Sequence, residues 1–286
     1  MAFIPDMSVA IPASLVSDVP HLREKTSKIG MVGRSLAIFG IKEVIILADN
    51  PELDQHVEVQ LIMSVLSYLE TPQYLRKQLF RIMPELKYVG VLPPLRTPHH
   101  PLSNQAKELR NLEYREGVTL RSTRKGTLVD IGIERPVLIT DKRLPFNRRI
   151  TVKVKKSDDK LKATVADRNE ISEYWGYKVS SPKLSFGQFL KKRRFDLVVA
   201  TSKYGKAFLA MSEEMERRFG TAKNVLVAFG APAKGLHEIV NQEDLNLENV
   251  ADFIVNTVPG QKAHTVRTEE AVLITLGILN STFAKG

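Results

Sequence analysis

The stretch Val225-Leu226-Val227-Ala228-Phe229-Gly230-Ala231-Pro232-Ala233-Lys234-Gly235 decides the fold of this chain. Its first five residues form a continuous apolar run, which is typical of a strand buried on both faces. The run ends in a loop of small residues. A second apolar run, Phe253-Ile254-Val255, ends in the same way at Asn256-Thr257-Val258-Pro259-Gly260. Because loops at the carboxyl ends of parallel strands commonly bind ligands, the sequence predicts a binding site at this edge of a sheet.

A helix follows the second loop. It begins at Thr268-Glu269-Glu270, where Thr268 can cap the helix and the two acids suit its positive end. Apolar residues then recur at Ala271, Val272, Ile274, Ile278 and Leu279, which predicts a helix buried on most sides.

Composition limits the function classes. The 286 residues are 43% hydrophobic and 26% charged, as expected for a globular protein of one or two domains. Cysteine is absent, which excludes disulfides, thiolate zinc sites and cysteine nucleophiles. The net charge of +10 and the pI of about 9.6 favour a nucleic-acid partner over a charge that serves only solubility.

The amino terminus shows no targeting signal. Met1-Ala2-Phe3-Ile4-Pro5-Asp6 has neither a basic region nor a long apolar segment, so we expect no signal peptide. No apolar stretch reaches the roughly 18 residues that a membrane span needs. We therefore expect a cytoplasmic protein, or a nuclear one if the source is eukaryotic, without a membrane partner.

Strands and helices alternate on both sides of the chain's middle, which predicts a parallel sheet. The first side has a strand at 8–12, a helix from Pro20 to Phe39 capped by Ser17 or Asp18, and a strand at 43–47. Helices are predicted at 53–69 and 73–83. The second side adds a strand at 197–200, a polar strand-end loop at 201–205 and a helix at 206–219.

The middle of the chain has a different periodicity. Between residues 113 and 177 the apolar residues recur at every second position, which predicts several short strands in a small β-barrel. Basic residues are concentrated in this segment, and in Thr151-Val152-Lys153-Val154-Lys155 they alternate with apolar ones. This cationic face is either an RNA-binding surface, which we favour, or a solvated exterior. The candidate RNA-binding residues are Arg121, Arg124, Lys125, Arg148, Arg149, Lys153, Lys155 and Lys156.

A proline-rich connector precedes the barrel segment. Four prolines between Val91 and Pro101 predict an extended segment without regular secondary structure. The adjacent His99 and His100 point in different directions and have no acid cluster beside them, so we predict no metal site. The connector is either a domain linker or a segment that contacts RNA or the active site.

Three segments carry a resemblance to the SPOUT (α/β-knot) RNA methyltransferases. Residues 28–41 resemble the first motif of that superfamily, residues 225–236 the second, and residues 256–271 the third. Over nearly the whole chain, the sequence is similar to the archaeal and eukaryotic branch in which a barrel interrupts the methyltransferase domain. The resemblance implies an α/β fold with a parallel sheet and a carboxyl-terminal deep trefoil knot, formed by residues 1–92 and 178–286. Residues 93–177 would form an inserted OB-like β-barrel that binds RNA.

The resemblance also implies S-adenosylmethionine as the cofactor and a homodimer formed through the knot region. The cofactor-binding residues it implies are Thr201, Ser202, Phe229, Gly230, Ala231, Gly235, Leu236, Val255, Asn256, Thr257, Val258, Pro259, Thr265 and Val266. The catalytic candidates are Arg34 on the first-motif helix, Arg267 and Glu269. The two arginines would hold the target base or its phosphate. Glu269 or Glu270 would accept a proton, although helix capping is the favoured role for that pair.

The chain departs from the ribose-methylating relatives in two motifs. Pro232 stands where those relatives have Glu, and Arg267 stands where they have Asn. Lys28 likewise replaces an Asn of the first motif. The changes at Pro232 and Arg267, in the second and third motifs, favour methylation of a base nitrogen, such as uridine N3, over methylation of ribose.

Three hypotheses follow for the function. The first is an S-adenosylmethionine-dependent methyltransferase that acts on a base of structured RNA, with ribosomal RNA as the preferred substrate. The second is a non-catalytic RNA-binding ribosome-assembly factor with a SPOUT fold. The third and weakest is a basic nucleotide-dependent metabolic enzyme; the loop at 230–235 is no P-loop, because no Lys-Ser or Lys-Thr follows its second glycine.

Overall fold

The computed structural model describes residues 5–157, 160–192 and 195–283. These residues divide into two compact units. The α/β unit comprises the described residues of Met1–Ser67, Tyr88–Pro93 and Tyr177–Gly286, and the barrel unit comprises those of Tyr68–Lys87 and Pro94–Gly176. Residues 68–87 therefore group with the barrel, whereas the sequence boundaries placed them with the flanking segments.

The predicted elements occur in the predicted order, together with others that the sequence analysis did not identify, and the helix predicted at 73–83 ends at Leu79. The helices and strands are β1 (Asp6–Pro12), α1 (Leu22–Ile38), β2 (Glu43–Leu47), α2 (His56–Glu70), α3 (Gln73–Leu79), β3 (Glu113–Thr123), β4 (Gly126–Asp130), β5 (Val137–Thr140), β6 (Arg149–Ser157), β7 (Lys160–Val165), β8 (Lys178–Ser180), α4 (Phe186–Lys191), β9 (Leu197–Ala207), α5 (Phe208–Phe219), β10 (Asn224–Ala228), α6 (Leu236–Asn241), α7 (Leu247–Val250), β11 (Phe253–Asn256) and α8 (Thr268–Phe283).

A parallel sheet forms the centre of the α/β unit. Within the described residues it has six strands in the order β11-β9-β10-β1-β2-β8, and every neighbouring pair is parallel. The central strands β1 and β10 are apolar along their length because helices cover both faces; Val9 and Val227, which pair with each other, are fully buried. The predicted parallel sheet is confirmed. The chain leaves β1 towards β2 and later returns on the other side, so the order reverses beside β1, where such sheets bind ligands.

Strand β9 differs from the prediction. Residues 201–205 were expected to form a loop after the strand, but β9 continues to Ala207. Its pairing with β11 jumps, because Ile254 pairs with Ala200 whereas Val255 pairs with Lys206. The residues between Ala200 and Lys206 therefore leave the hydrogen-bonding pattern of the sheet, and we call them the excursion of β9. The loop-like composition of residues 201–205 corresponds to this excursion and not to the end of the strand.

Helix ends and faces differ from the prediction at several places. Helix α1 begins after His21 without a side-chain cap, so the predicted caps at Ser17 and Asp18 are wrong. Helix α8 begins after Arg267, whose N–H donates to the Glu270 carboxylate at 2.9 Å, so Thr268 is not its cap. Ile274 is 37% exposed although the pattern predicted it to be buried.

The inserted segment forms a closed barrel, as its period of two predicted. Among the described residues its strand order is β3-β4-β5-β7-β6, with β5 and β7 parallel and the other pairs antiparallel. Val152 and Val154 on β6 are fully buried in its core, while Lys155 is exposed. The valines of β6 therefore face the core, whereas Lys153 is half-buried and Lys155 is exposed.

Charged residues are also buried in the barrel unit. The side chains of Arg115 and Glu116 have no exposed surface. Glu116 accepts hydrogen bonds from Trp175 Nε1 at 2.6 Å, Thr151 Oγ1 at 2.7 Å and Arg149 Nε at 2.5 Å. Trp175 thus packs inside the unit, which is the role favoured for it over base stacking.

No helix among the described residues combines the length and apolar character that crossing a bilayer requires.

Candidate functional site

A cleft of about 230 Å³ lies at the carboxyl ends of β9, β10 and β11 in the α/β unit. The strand-end loops form its walls because their small residues leave backbone groups accessible. Eleven of the predicted cofactor-binding residues line it: Thr201, Ser202, Gly230, Ala231, Gly235, Val255, Asn256, Thr257, Val258, Thr265 and Val266. The structure therefore brings together the two loops and the strand excursion that the sequence singled out.

Three of the predicted cofactor-binding residues do not line the cleft. Phe229 is 1% exposed and Leu236 is fully buried, so both side chains belong to the core beneath the loop. Pro259 is also absent from the lining in the described part of the chain. The sequence alone does not show whether an apolar side chain next to a binding loop faces the ligand or the core.

The loop after β10 is closed by its own backbone. Ala231 N donates to Lys234 O at 2.9 Å, and Thr268 Oγ1 on α8 donates to Gly230 O at 2.9 Å. A Cβ at Gly230 would lie 3.1 Å from Leu236 N and 3.2 Å from Gly235 Cα. Glycine is therefore favoured here because the loop folds tightly on itself: a Cβ would require the loop backbone to shift by a few tenths of an ångström, and a large side chain would require more.

The loop after β11 is held by side chains of its own residues. Asn256 Oδ1 accepts from Val258 N at 2.9 Å, and Asn256 Nδ2 donates to Lys203 O in the strand excursion at 2.9 Å. Thr257 Oγ1 lies 2.9 Å from Thr275 Oγ1 on α8. These bonds fix the loop before any ligand binds, so the cleft is largely preorganised.

A line of proton-carrying groups that the sequence analysis did not identify begins at the cleft wall and ends at Glu248 behind it. Ser202 Oγ lies 3.3 Å from His237 Nδ1, and His237 Nε2 lies 3.5 Å from Glu248 Oε1. A hydroxyl, an imidazole and a carboxylate in this order can move a proton away from a bound group. His237 follows directly after the second motif, but only the fold brings it to Ser202, which is 35 residues away in the chain.

Further lining residues were also missed. They are Lys203, Tyr204, Pro232, Ala233, Lys234, Glu238, Gln261, His264, Thr268 and Ala271. Most of them lie within the loops that the sequence indicated. Their place in these loops could have identified them, whereas their residue types could not. Tyr204 is 75% exposed on the excursion of β9, where its exposure suits a ligand contact better than a core role.

The three catalytic candidates lie outside the cleft lining among the described residues. Arg34 is half-buried on α1, and Arg267 is exposed at the start of α8. Glu269 is 4% exposed, and its Oε2 lies 3.3 Å from Lys28 Nζ on α1. Lys28 also donates to both carboxylate oxygens of Asp18, at 2.6 and 2.7 Å. Glu269 is thus placed to neutralise a buried lysine and to join α8 to α1.

The basic candidates on the barrel unit divide into two groups. Exposed residues form the first group: Arg121, Arg124, Lys125, Arg148 and Lys155. Lys153 and Lys156 are half-buried; Lys153 Nζ lies 5.1 Å from the centre of the Tyr114 ring, and Lys156 Nζ donates to Lys107 O at 3.0 Å.

Arg149 forms the second group by itself. Its guanidinium contacts Glu70 Oε2 and Glu116 Oε2, each at 2.5 Å. Burial would raise the pKa of the Glu116 carboxyl, but the charges of Arg149 and Arg168 outweigh burial and hold that pKa below its usual range. Arg149 therefore belongs to a buried ionic cluster rather than to an exposed phosphate-binding surface. The carboxylates of Glu70 and Glu116 compensate its buried charge. The alternation of residues along β6 did not predict these two partners.

The comparisons with known proteins agree with this arrangement. Residues 6–279 match the model of a family described as "Putative RNA methyltransferase". The chain is 32% identical to proteins named 28S rRNA (uridine-N(3))-methyltransferase from Homo sapiens and Mus musculus, with 96% of this chain aligned to 77% and 75% of those proteins. It is 31% identical to an uncharacterized protein of Halobacterium salinarum, over 96% of this chain and 99% of the relative.

The family match spans both units and every strand described above, and the relatives align over nearly the whole chain. The chain therefore belongs to this family of RNA methyltransferases.

Proposed function

We propose that this protein transfers a methyl group from S-adenosylmethionine to N3 of a uridine in ribosomal RNA. The observation that carries the proposal is the preorganised cleft at the ends of β9, β10 and β11, built from the loops that resemble the second and third SPOUT motifs. The two mammalian relatives named for this reaction support the choice of substrate. The proposal includes a SPOUT fold with a trefoil knot and an OB-like barrel, and it is supported by the parallel sheet and the closed barrel.

The residues of the cleft fit the proposed cofactor. Val255, Val258 and Val266 provide apolar surface for the adenine ring, and the backbone around Gly230 can approach a ligand closely. The hydroxyls and amides of Thr201, Asn256 and Thr257 suit a ribose and an amino-acid group. When bound, S-adenosylmethionine supplies an electrophilic methyl group on a sulfonium, so no covalent enzyme intermediate is needed.

The chain's own residues must then remove the proton from uridine N3. Ser202 is placed to take this proton while passing its own to His237 Nδ1, and Glu248 faces the opposite nitrogen and stabilises the imidazolium. This path takes over the role that the sequence gave to Glu269, because Glu269 faces the buried Lys28. Arg34 and Arg267 remain our candidates for holding the target base or its phosphate.

The proposal assigns RNA affinity to the exposed basic residues of the barrel unit, together with Lys153 and Lys156. It also includes a homodimer. Helices α1 and α8 pack against each other, and each exposes apolar side chains: Met31 and Ile38 on α1, and Leu273 and Ile274 on α8, are 37 to 52% exposed. A second copy of the chain would remove this surface from water. Sedimentation that gives a monomer at micromolar concentration would contradict the dimer.

The direct test is methyl transfer from labelled S-adenosylmethionine to ribosomal RNA, followed by nucleoside chromatography. We expect 3-methyluridine with the wild type and none with Gly230→Trp, which should also lose cofactor binding in calorimetry. Gly90→Trp is the matched control, because a Cβ at Gly90 meets nothing within 4 Å. A wild type that binds RNA but no S-adenosylmethionine would favour the non-catalytic assembly factor instead.

The proton path has its own test. His237→Gln should lower kcat by about 10²-fold or more while cofactor binding is retained. His264→Gln is the comparison, because His264 is a second imidazole on the cleft wall and makes no contact with Ser202 among the described residues. Equal losses in the two variants would contradict the assignment of His237.

A further inference from the structure

A second pocket lies within the barrel unit, and the proposed function does not use it. Its volume is about 300 Å³, and it is formed by the start of α3, the proline-rich connector and the turn at Gly132. That volume is at the lower end for small-ligand pockets, which suits one compact group. Its lining consists of Gln73, Tyr74, Pro94, Arg96, His100, Pro101, Leu102, Ser103, Asn104 and Gly132.

Buried groups hold three of the lining residues in place. Arg115, which has no exposed side-chain surface, donates to Ser103 O at 3.0 Å and also to Ser103 Oγ. Tyr74 OH donates to Glu116 O at 2.8 Å. His100 Nε2 donates to Glu70 O at 2.7 Å. The pocket is therefore a built site whose walls are fixed before a ligand enters.

The turn at Gly132 is shaped around Tyr74. Gly132 has a φ of +77°, and a Cβ there would lie 2.4 Å from the Tyr74 ring. Only glycine allows this approach, so one side of the ring is covered by backbone. Together with Pro94, Pro101 and Leu102, the ring gives the pocket an apolar wall.

His100 lines the pocket with a neutral imidazole ring. Burial, and next the neighbouring His99, lower the pKa of His100 to about 4, so its ring is neutral at physiological pH. A carbonyl can only accept, so the Nε2 atom that bonds to Glu70 O carries the ring's hydrogen. Nδ1 is then the unprotonated nitrogen.

Three polar side chains of the pocket are uncommitted. Gln73, Arg96 and Asn104 are exposed, and their side chains make no hydrogen bond or ion pair to the part of the chain that is described. The two amides can both donate and accept, which matches the edge of a nucleobase. The Arg96 guanidinium matches a phosphate.

The backbone of Arg96 has an uncommon conformation. Its φ is +52°, in the left-handed region that is unfavourable for a side chain of this kind. Such strain costs of the order of 10-fold in a local conformational equilibrium and recurs at ligand-binding positions. Here it places a long cationic side chain on the rim of the pocket.

We propose that this pocket binds one unpaired nucleotide of the RNA substrate, with its base between the Tyr74 wall and the amides of Gln73 and Asn104, and its phosphate on Arg96. This inference rests on the proposed function, since it names a contact to the RNA of that reaction. The apolar wall suits the face of a base, the hydrogen-bond donors and acceptors suit its edge, and the cation suits its phosphate. Proteins that recognise RNA sequence mostly bind unpaired nucleotides, whose bases are accessible.

A neighbouring depression sets the direction in which the strand enters. It shares Tyr74, Asn104 and Gly132 with the pocket and adds the carboxylates of Asp130 and Glu134. These carboxylates are committed within the unit, to Gln78 and to Ala106 N respectively. Lys107 also lines this depression and offsets part of their negative charge. The two carboxylates still outnumber the one lysine, so phosphate is better accommodated on the Arg96 side.

The test compares two RNA probes without cofactor. One is a hairpin with a loop of mixed unpaired nucleotides, and the other is the same stem as a fully paired duplex. We expect Asn104→Ala and Arg96→Ala each to weaken hairpin binding about tenfold, and to leave duplex binding unchanged. Lys155→Ala is the control, because an exposed lysine outside the pocket should weaken both RNAs equally.

A cross-link gives an independent measurement. A hairpin with 4-thiouridine in its loop should cross-link to the peptide that contains residues 96–104 or to Tyr74, and Asn104→Ala should reduce the yield. Unchanged hairpin affinity in both variants, or cross-links only elsewhere, would overturn the proposal. Those results would leave the methyltransferase function standing, since that function fails only if methyl transfer or cofactor binding is absent.

Discussion

The α/β unit and the barrel unit keep their polar groups in different places. In the α/β unit the central strands are apolar, and the polar groups of the cleft are backbone atoms and small side chains in loops at the sheet edge. In the barrel unit, Arg115 and Glu116 are fully buried. Arg115 pairs with Glu113, whereas Glu116 joins Arg149 and Glu70 in an ionic cluster to which Trp175 donates a hydrogen bond. The first arrangement needs glycine and short side chains, whereas the second needs partners of opposite charge.

This difference in the placement of polar groups predicts which substitutions each unit tolerates. A buried ion pair gains little over an apolar pair, but removal of one partner leaves a charge without compensation. The barrel unit should therefore be sensitive to single charge changes and to acid. The cleft should instead be sensitive to bulk at Gly230, where the loop backbone leaves no space.

The largest effect is expected for Glu116→Gln. The change removes the charge of a fully buried carboxylate that faces Arg149 and Arg168, whose side chains are 21% and 45% exposed. We expect the free energy of unfolding of the barrel unit to fall by about 3–5 kcal/mol. Urea unfolding followed by the emission of Trp175, the only tryptophan, measures this directly.

A matched control separates burial from charge. Glu173→Gln removes the same charge at an exposed position in the same unit, and its effect should stay within about 0.5 kcal/mol. Comparable effects from the two substitutions would break the contrast between the units, because the buried cluster would then contribute no more than a surface carboxylate.

Acid should unfold the barrel unit before the α/β unit. The pKa of His100 falls from about 6.5 to about 4 on folding, so the unfolded chain binds a proton that the folded chain rejects between these pH values. The neutral ring thus contributes stability above pH 6.5. As the pH falls from 6.5 towards 4, the free energy of unfolding decreases by about 3 kcal/mol. Trp175 emission against pH measures the loss.

The carboxylates of the cluster add to this sensitivity at lower pH. Burial raises the pKa of Glu70, but hydrogen bonding to His99 and the charge of Arg149 hold it below 4.5 overall, so its contribution is lost only as the pH falls below that value. His100→Gln should therefore flatten the profile between pH 6.5 and 4 and leave the lower transition. A variant profile that matches the wild type would exclude His100 as the cause.

The sequence predicted the α/β unit better than the barrel unit, for a physical reason. Continuous apolar runs and small-residue loops are local signals, so β10, β11 and half of the residues that line the cleft followed from them. The excursion in β9 did not, because a jump in pairing depends on β11, which lies about 50 residues later. The approach of His237 to Ser202 was missed for the same reason.

The barrel's strands and alternation also followed from periodicity. Periodicity did not predict which basic residues of the barrel are buried, because Arg149 and Lys155 lie on the same strand and are both basic. One of them contacts Glu70 and Glu116, and the other is exposed. Only the three-dimensional positions of the two carboxylates distinguish a core arginine from a surface lysine.

The α/β unit contains one buried charge cluster of its own, which gives a smaller test of the comparison. Lys28→Met keeps the length of the side chain but removes the partner of Glu269 and Asp18. Asp18 is 28% exposed and can regain water, so we expect a loss of only about 2 kcal/mol. Chemical unfolding followed by circular dichroism measures it.

A second substitution identifies the cause of that loss. Glu269→Gln in the Lys28→Met background should restore part of the stability, because a neutral amide is cheaper to bury than an unpaired carboxylate. Additive losses in the double variant would show that Lys28 stabilises the helix pair by packing and not by charge. The proposed role of Glu269 as a structural partner of Lys28 would then be wrong.

The smallest effect is expected on the barrel's exposed face. Lys155 is exposed, so its charge should act through released counterions rather than through a fixed contact. Lys155→Ala should reduce the slope of log affinity against log salt by about 0.7 for a single-stranded RNA. Lys183→Ala, at an exposed position of the α/β unit, should leave the slope unchanged. Equal slopes for both variants and the wild type would show that the basic face of β6 is only a solvated exterior, and the RNA affinity would have to come from elsewhere in the chain.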